Sequence, residues 1–487
     1  MIVKLAGFNV DIENINYLNE LLKKGNLSSD DLDILKKFNW TPETISASYA
    51  RISRDARPIN ELREEARNEV EKARKSNNLI IFTMGHSSIA EHAVFNIDIV
   101  NISRLVAEPL EKSRLASFTE KSQRYIKIGE DIYIPKEFQD DSKILNEYKE
   151  ITKRLFIAYE TIHEKLVPYF KEKYPVTDEK STQYRDVVNL AKEDARYILP
   201  LGILTQVGMT ANARTYEKLI RKLSSSDLSE AKELGNAIYN EIKNYAPSLI
   251  KYTNPSLFET ETYKEIKTKF NMENDILPEN EVELINYPKD FEDKLVTMLL
   301  MKSSNCSYNS AKKRVETMSD NEKLSIFDLS IKYLNSYDSV LKEYESGEFE
   351  FNILISATAF AQLKRHRMAT MIDGEYSPKL GVVIPQSIID VGLKDYFNEQ
   401  IDIVNAFYDK INKKYPSARD YILTNAHRKN VYFKCNFREL VHLCRLRMDK
   451  HSQWDIRNIA TLMANLVKEK YKFIGLLLVG KDSFKKD

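Results

Sequence analysis

The sequence predicts an α+β protein made of two tandem copies of one unit, in which helices surround antiparallel or mixed sheets. Only 13 glycines and 14 prolines occur among the 487 residues, so turns are few and helices should dominate. The runs Phe95–Ile99 and Phe349–Ile355 alternate as half-buried strands do. The residues around the second run repeat the order of the first about 250 residues later, which indicates a tandem duplication. The predicted organisation is an N-terminal extension at 1–40, a first copy at 41–262, a linker at 263–289 and a second copy at 290–480.

The composition excludes several classes of protein. The 73 basic side chains nearly balance the 72 acidic ones, so no net field attracts nucleic acid or an anionic membrane. Three cysteines (Cys306, Cys435 and Cys444) are too few and too scattered for a disulfide framework, as expected in a reducing cytoplasm. The longest apolar run, within Phe473–Val479, is far too short to cross a bilayer. We therefore expect a cytoplasmic globular protein that binds neither nucleic acid nor a membrane.

The second copy carries a compact group of polar residues after its strand. Ser356 or Thr358 can cap the helix that begins there, because a hydroxyl satisfies the first free N–H groups. The spacing i, i+3, i+4 predicts that Gln362, Arg365 and His366 share one helical face. An amide, a guanidinium and an imidazole held together can bind a phosphate or an electron-rich ring. The alternative is a solvated basic face.

The segments further along each copy also correspond. Ala195–Leu199 is echoed by Ala418–Leu423, and Asn212–Arg214 is echoed by Asn436–Arg438, with each Asn-x-Arg opening a helix. These correspondences extend the duplication over most of both copies.

A late helix distinguishes the two copies. In the second copy Leu440, Cys444, Arg447 and His451 fall on one helical stripe. Arg447 thus places a charge where an apolar residue belongs, which costs free energy unless an anion meets it. The first copy has Leu223 at the matching position. We expect Arg447 to meet a ligand or a buried carboxylate.

Together these segments resemble the flavin-dependent thymidylate synthases, also called the thymidylate synthase complementing protein family. The family motifs are Arg-His-Arg followed by Ser and Ser-x-Arg, with a His…Glu-His segment before them. Ala-Arg-x-x-Leu-Pro, Asn-x-Arg and Arg-x-x-x-His-x-Gln-Trp-Glu segments follow. The likeness covers each copy almost end to end, but neither copy holds the full set. The first copy keeps His86, Glu91, His92, Arg114, Ser117, Glu120, Ser122, Arg124, Tyr125, Arg196, Pro200, Asn212 and Arg214. The second keeps Gln362, Arg365, His366, Arg367, Thr370, Ser377, Arg419, Asn436, Arg438, His442, Arg447, His451, Gln453 and Trp454.

The losses are sorted between the copies. The first copy has Pro109, Lys112 and Leu223 where the second has Gln362, Arg365 and Arg447. The second copy has Lys379 where the first has Arg124, and Tyr337 and Tyr344 stand in place of the upstream histidines. The resemblance implies an active site shared between subunits of a homotetramer. By that likeness each copy holds one half of a composite substrate site, with Gln362, Arg365 and Arg447 from the second and Glu120, Ser122, Arg124 and Arg196 from the first.

The resemblance also implies the reaction, which is methylation of deoxyuridylate (dUMP) to dTMP. Methylenetetrahydrofolate would donate the carbon, NAD(P)H would be the reductant and FAD the cofactor, with no metal. Two chains would form a homodimer with the shape of four units. The implied catalytic residues are Arg365, Arg447 and Ser122. The residues implied to hold the flavin are His92, Arg365, His366, Arg367, Asn212, Arg214, Asn436, Arg438 and His442.

Other interpretations stay open at this point. Cys435, His442, Cys444 and His451 could form a zinc site, although their spacing matches no usual ligand pattern. The departures from the family motifs also allow a non-catalytic flavin- or nucleotide-binding paralogue, or an enzyme acting on another pyrimidine.

Overall fold

The structure is a computed structural model that describes residues 1–37, 40–126, 128–176, 178, 180–270 and 277–483. Its strands are β1 (Ile2–Phe8), β2 (Val94–Ser103), β3 (Ala116–Glu120), β4 (Leu204–Asn212), β5 (Val282–Asn286), β6 (Glu348–Ser356), β7 (Thr370–Asp373) and β8 (Arg428–Asn436). They form two four-stranded sheets in the orders β1-β2-β4-β3 and β5-β6-β8-β7, and every pairing is antiparallel. The equivalent strand orders confirm the α+β prediction and the two-copy architecture.

Helices surround both sheets within the described ranges. They are α1 (Ile12–Lys24), α2 (Ser29–Lys37), α3 (Glu43–Arg51), α4 (Ile59–Asn68), α5 (Val70–Asn78), α6 (Arg104–Glu111), α7 (Ser142–Lys173), α8 (Thr182–Ala195), α9 (Ala213–Ser224), α10 (Ser229–Ile242), α11 (Leu257–Thr260), α12 (Thr262–Lys269), α13 (Phe291–Ser303), α14 (Tyr308–Glu316), α15 (Asp320–Ile331), α16 (Ala357–Leu363), α17 (Gln386–Asp390), α18 (Lys394–Asn412), α19 (Phe437–Arg447) and α20 (Trp454–Lys468).

One of the two edge strands of each sheet comes from outside the predicted copies. β1 lies within the segment 1–40 and pairs with β2, while β5 lies within the segment 263–289 and pairs with β6. In each sheet this edge strand, β1 or β5, therefore comes from the segment that precedes the predicted copy. The exact domain boundaries stay a prediction.

The same capping residues start the equivalent helices in both copies. Ser103 accepts a hydrogen bond from the backbone N–H of Val106 at the start of α6, and Ser356 accepts one from Ala359 at the start of α16. Ser356, and not Thr358, is thus the cap. Because both serines directly precede their helices, residues at the same offset from the two caps occupy equivalent positions.

Two expected helical faces are wrong because both helices end early. α16 stops at Leu363, so Arg365 and His366 lie in the turn that leads into β7; His366 is buried there and Arg365 is exposed. The chain must leave the helix at this point, since β7 pairs with β8 a few residues later. Likewise α19 ends at Arg447, and the predicted stripe does not reach His451, which is exposed.

Three large apolar cores lie among the described residues, beside a small cluster of Ala47, Ala66 and Ala73. One packs around the first sheet and one around the second, while the third is built jointly from residues 128–203 and residues 357–426. The long helix α7 packs against α18 in this shared core. The two copies therefore share a core and pack together as one unit.

At the centre of the shared core, two equivalent segments cross antiparallel. The N–H of Leu201 donates to the carbonyl of Leu423, and the N–H of Asn425 donates to the carbonyl of Leu199. The N–H of Gly202 donates to the carbonyl of Tyr421; an added Cβ at Gly202 would lie 3.0 Å from that carbonyl and 2.5 Å from the Tyr148 hydroxyl. Only glycine allows this approach without displacement. The reciprocal bonds define a pseudo-two-fold axis between the copies.

Two buried triads flank this crossing. The Tyr421 hydroxyl and the capping Ser103 both donate to Oε2 of Glu230, at 2.9 and 2.6 Å. In the mirror arrangement Tyr197 and Ser356 donate to Oδ2 of Asp455, at 2.9 and 2.5 Å. In each triad the serine and the carboxylate belong to one copy and the tyrosine belongs to the other.

Removing a triad hydroxyl should weaken the union of the copies. Tyr421→Phe keeps the ring but deprives the fully buried Glu230 of a hydrogen bond, which we expect to lower the free energy of unfolding by about 1–3 kcal/mol. Urea denaturation measures this loss. The matched control is Tyr169→Phe, which removes a bond to the exposed Asp390 and should cost less than about 1 kcal/mol. Equal losses in the two variants would contradict the proposed weight of the triad.

Candidate functional site

The two copies meet at two pseudo-equivalent junctions. The first junction combines the turn after α16 and the end of α19 from the second copy with β3, the following turn and Arg196 from the first copy. The second junction combines the corresponding elements with the copies exchanged. The two are equivalent in backbone but differ sharply in side chains.

Arg447 organises the second copy's half of the first junction. Its Nε lies 3.1 Å from Nε2 of His366, and its Nη2 donates to the carbonyl oxygen of Gln362 at 3.2 Å. Burial lowers the pKa of Arg447 to about 10, with a contribution from the nearby charge of Arg365. Among the described residues Arg447 meets no carboxylate within ion-pair distance, so of the two expected partners only a ligand could still supply the anion.

The protonation state of His366 follows from its partners. Burial lowers the pKa of this imidazole, so it is neutral near pH 7. A guanidinium can only donate, and Nε2 must therefore accept from Arg447. The ring proton is then on Nδ1, which lies 2.9 Å from the carboxylate of Glu439. Glu439 fixes both the tautomer and the orientation of the ring.

The first copy's half carries the residues expected to bind an anion. The hydroxyl of Ser122 accepts a hydrogen bond from the N–H of Arg124, whose side chain forms an ion pair with Glu193. Arg196 is only 9% exposed, and burial lowers its pKa. Glu120 accepts a hydrogen bond from Thr205 at 3.1 Å. Burial raises the pKa of Glu120, and the charge of Glu111 raises it further.

The halves are joined within a single chain. Lys364 and Glu111, which are both eight residues after their capping serines, form an ion pair at 2.7 Å, and each side chain is only 3% exposed. Asn425 of the second copy donates to the carbonyl of Arg196 at 2.9 Å and to Gln123 at 3.2 Å. Within one chain, these contacts link the turn after α16 to the end of α6 and Asn425 to the segment that holds Arg196.

The first junction leaves buried polar atoms unsatisfied. Within the described residues, such atoms without a hydrogen-bond partner include Nε2 of Gln362, Nε of Arg196, Nη1 of Arg104 and Oδ1 of Asn425. Buried polar atoms are normally paired, so a cluster of unpaired ones indicates a ligand or ordered water.

The second junction is closed by its own charges. Lys112 pairs with Asp373 at 2.6 Å, and Lys429 pairs with Asp373 at 2.8 Å and with Glu108 at 2.6 Å. The hydroxyl of Tyr376 donates to Glu108 at 2.7 Å. Burial alone would raise the pKa of Glu108, but the ammonium groups of Lys429, Lys112 and Lys364 outweigh it and lower that pKa. Carboxylates and ammonium groups therefore satisfy each other at this junction.

The residues implied to hold the flavin divide into two places. In the second copy Asn436, Arg438, Glu439 and His442 line a cleft of about 490 Å³ beside Met368. His442 packs edge-on to His366 with ring centroids 5.8 Å apart. Arg438 pairs with Glu345 at 2.7 Å, and the side-chain oxygen of Asn436 is occupied as the cap of α19.

Of the corresponding first-copy residues, Arg214 lines a smaller cavity, whereas Asn212 and His92 are not part of its lining. Arg214 lines a space of about 250 Å³ and pairs with Glu91 at 2.5 Å. Asn212 caps α9, and His92 is exposed with its ring 4.7 Å from that of Tyr49.

Arg367 is set apart from the other flavin candidates. It donates to the carbonyl of Arg114, its equivalent in the first copy, and Arg114 donates back to the carbonyl of Ala369. Arg367 thus serves the contact between the copies.

Several site residues carry no signal in the sequence. Arg104, Glu111, Lys364, Asn425 and Glu439 belong to no recognised motif, and their importance emerges only from contacts across the copies. For Glu111 and Lys364, opposite charges at equivalent offsets from the two capping serines could have suggested a pair.

The zinc interpretation has no support among the described residues. They contain no group of three or more His, Cys, Asp or Glu side chains arranged to hold a metal ion. Burial raises the pKa of the Cys444 thiol to about 12 and also raises that of Cys435, so neither is a ready thiolate ligand.

No described helix combines the length and apolar character needed to cross a membrane.

Comparison with known proteins agrees with the two-copy architecture. The family model for the thymidylate synthase complementing protein matches residues 35–248 and again residues 283–471. The chain belongs to this family. A UPF0159 protein of Chlamydia muridarum is 25% identical over 418 residues, which are 82% of this chain and 79% of that protein. A UPF0159 protein of Thermoplasma acidophilum is 25% identical over 424 residues, covering 80% of this chain and 85% of the relative.

A third relative matches about one copy. A flavin-dependent thymidylate synthase of Clostridium tetani is 30% identical over 224 residues, which are 46% of this chain and 86% of that protein. The double-length architecture is thus shared with the UPF0159 relatives, whereas a whole single-copy relative corresponds to about half of this chain.

Beside Arg196, the buried Asp194 predicts a pH-dependent stability. Its carboxylate accepts from Trp454 Nε1 at 2.7 Å and from Ser387 at 2.5 Å, and burial raises its pKa from 3.8 to about 6. A raised pKa stabilises the fold below pH 4, and this stabilisation is lost as the pH rises through 6. The loss should amount to about 2 kcal/mol between pH 4 and pH 7.

Asp194→Asn tests this expectation because the amide does not titrate. The difference in free energy of unfolding between wild type and variant should change with pH in that window. The emission of Trp454 should titrate with a midpoint near 6 in the wild type only. A difference that stays constant from pH 4 to pH 8 would show that Asp194 ionises normally.

Proposed function

We propose that this protein is a flavin-dependent thymidylate synthase that methylates dUMP to dTMP at one composite site, the first junction. Methylenetetrahydrofolate donates the carbon, NAD(P)H is the reductant and FAD is the cofactor. The observation that carries the proposal is a contrast in charge pairing between the junctions. At the first, the buried Arg104 and Arg447 have no carboxylate partner among the described residues, whereas at the second Lys112, Asp373, Glu108 and Lys429 pair with one another.

The charge of the first junction supports an anionic substrate. Glu111 and Glu193 each have a cationic partner, and Glu120 has a raised pKa. The cations outnumber these carboxylates; they are Arg104, Arg124, Arg196, Lys364, Arg365 and Arg447. A phosphate monoester such as dUMP would neutralise this excess, since charge-assisted hydrogen bonds from guanidinium groups suit its oxygens.

The first copy would bind the phosphate. Ser122, Arg124 and Arg196 are the donors, and the turn that holds Ser122 is preset by its bond to the N–H of Arg124. The equivalent turn in the second copy has the same bond, from the N–H of Lys379 to Ser377, so the backbone is retained where the guanidinium is lost.

The second copy would orient the pyrimidine. Arg447 is held by His366 and Gln362 with its charge directed at no protein anion, so it can meet a uracil carbonyl on which negative charge develops. The free amide Nε2 of Gln362 and the carboxyl of Glu120 would fix the ring edges. Arg365 is exposed and would close over the nucleotide from the turn after α16.

The cleft beside His366 fits a flavin. Its volume of about 490 Å³ and its lining by Arg438, Asn436 and His442 provide donors for a ring system and its polar edge. When bound, the flavin supplies the reducing equivalents and activates the pyrimidine without an enzyme nucleophile. The protein holds the neutral His366 ring and the Arg447 cation at the boundary between the two ligands.

Two such chains would associate as a homodimer with the shape of four units. A binding protein without turnover, or an enzyme for another pyrimidine, is the alternative function. Flavin reoxidation and dTMP formation in the presence of dUMP and methylenetetrahydrofolate separate these cases, because a paralogue would bind without forming dTMP.

Nucleotide stoichiometry tests the composite site. Isothermal titration calorimetry with dUMP should give one nucleotide per chain, because the second junction is filled by its own ion pairs. Arg124→Ala and Arg365→Ala should each weaken binding by about ten- to a hundredfold or more, although they lie in different copies.

The matched control is Lys379→Ala. Lys379 is exposed and occupies the position in the second-copy turn that Arg124 occupies in the first. Its removal should leave dUMP affinity nearly unchanged. Two equivalent nucleotides per chain, or a severe defect in Lys379→Ala, would rule out the composite site.

A flavin titration tests the cleft. FAD should bind with a shift of its visible spectrum, and His366→Ala should weaken FAD more than dUMP because it removes the ring between Glu439 and Arg447. His451→Ala, which alters an exposed histidine beyond α19, serves as the control and should change neither affinity. A larger effect of His366→Ala on dUMP than on FAD would refute this assignment.

A further inference from the structure

Arg104 is a buried arginine that reaches from one copy to the other. It is the first residue of α6, directly after the cap Ser103, and it is only 7% exposed. Its Nη2 donates to the carbonyl of Ala357 at 2.6 Å. Ala357 is the first residue of α16 and therefore occupies the equivalent position in the second copy. The guanidinium thus exists once per chain, on one side of the pseudo-two-fold axis.

The charge of Arg104 lacks a direct counter-ion. No carboxylate of the described residues lies within ion-pair distance of it, and its Nη1 has no hydrogen-bond partner among them. A buried cation is costly unless an anion and full hydrogen bonding compensate it. The unpaired Nη1 donor of this guanidinium therefore requires an anionic acceptor.

The surroundings place that acceptor in the first junction. Asn425 accepts hydrogen bonds from Thr358, which directly follows Ala357, and donates to the carbonyl of Arg196. Asn425 thus links Arg196 to the start of α16, where Arg104 also bonds. Oδ1 of Asn425, Nε of Arg196 and Nη1 of Arg104 are all buried without a hydrogen-bond partner among the described residues. The charge of Arg104 also acts on both Arg196 and Glu120.

We infer that Arg104 is a further substrate-binding residue, which donates to the phosphate group of the nucleotide together with Arg196. This inference rests on the proposed function. It assigns to the phosphate a donor that lies outside the Ser-x-Arg turn. It also gives the first junction a guanidinium that has no equivalent at the second junction, since Ala357 has no side-chain donor.

The test compares dUMP with deoxyuridine, which lacks the phosphate, by titration calorimetry. Arg104→Met should weaken dUMP by about ten- to a hundredfold and leave deoxyuridine affinity within about twofold of wild type. The matched control is Arg114→Met, which alters another inter-copy arginine bonded to the carbonyl of Ala369 and to Thr370, and should change neither affinity.

The outcomes are distinct. Equal losses for dUMP and deoxyuridine, or no loss for either, would overturn the role of Arg104. If Arg104→Met does not fold, Arg104→Lys decides: its charge is retained without the planar fork, and dUMP affinity should still fall about tenfold while deoxyuridine is unaffected. An unchanged dUMP affinity in Arg104→Lys would then overturn the inference. Failure of the wild type to bind dUMP would instead refute the proposed function.

Discussion

The antiparallel crossing of residues 197–202 with residues 421–426 is the constraint on which the rest of the structure depends. Its reciprocal backbone bonds fix the pseudo-two-fold axis, and the two triads anchor the crossing to the capping serines of α6 and α16. Because those serines set where the helices start, they also set where the turns after the helices deliver Lys112 and Arg365. The register in which the two crossing segments pair therefore determines where the side chains lie at both junctions. A backbone that is nearly symmetric can then carry two sites of opposite character.

The junctions differ in whether their buried charges are paired within the protein. At the second junction, ammonium and carboxylate groups are buried together and satisfy one another, as buried charges must. At the first, the guanidinium groups of Arg104 and Arg447 are held by carbonyls and a neutral imidazole, which position these two cations without neutralising them. Such a site gains most from a ligand that brings its own negative charge. The same frame therefore holds mutually satisfied ion pairs at one junction and, at the other, buried guanidinium groups that have no carboxylate partner among the described residues.

Local signals in the sequence predicted much of this arrangement. The alternation in Phe349–Ile355 and the hydroxyl of Ser356 act over a few residues, so the strand and the cap were recognisable. The end of α16 at Leu363 was not, because the demand of β7 for its partner β8 overrides helical spacing. Long-range partners were also hidden. No residue near Lys112 in the sequence indicates that Asp373 is its partner. The role of Arg104 depends on Ala357 and Asn425, which are more than two hundred residues away in the sequence. The motifs supplied the candidate site residues, whose roles stay a prediction, whereas the contacts between the copies were not predicted from the sequence.

The ion pair of Lys364 with Glu111 has a consequence for the history of the duplicated sequence. These residues occupy equivalent positions on the two sides of the axis, and both are almost completely buried. If either half were copied over the other, two carboxylates or two ammonium groups would face each other there, and an uncompensated buried charge typically costs about 3–5 kcal/mol. Genetic exchange that makes the halves identical is thus penalised at the level of folding. Once established, the opposite charges therefore oppose a return to identical halves. They also preserve the difference between the two junctions.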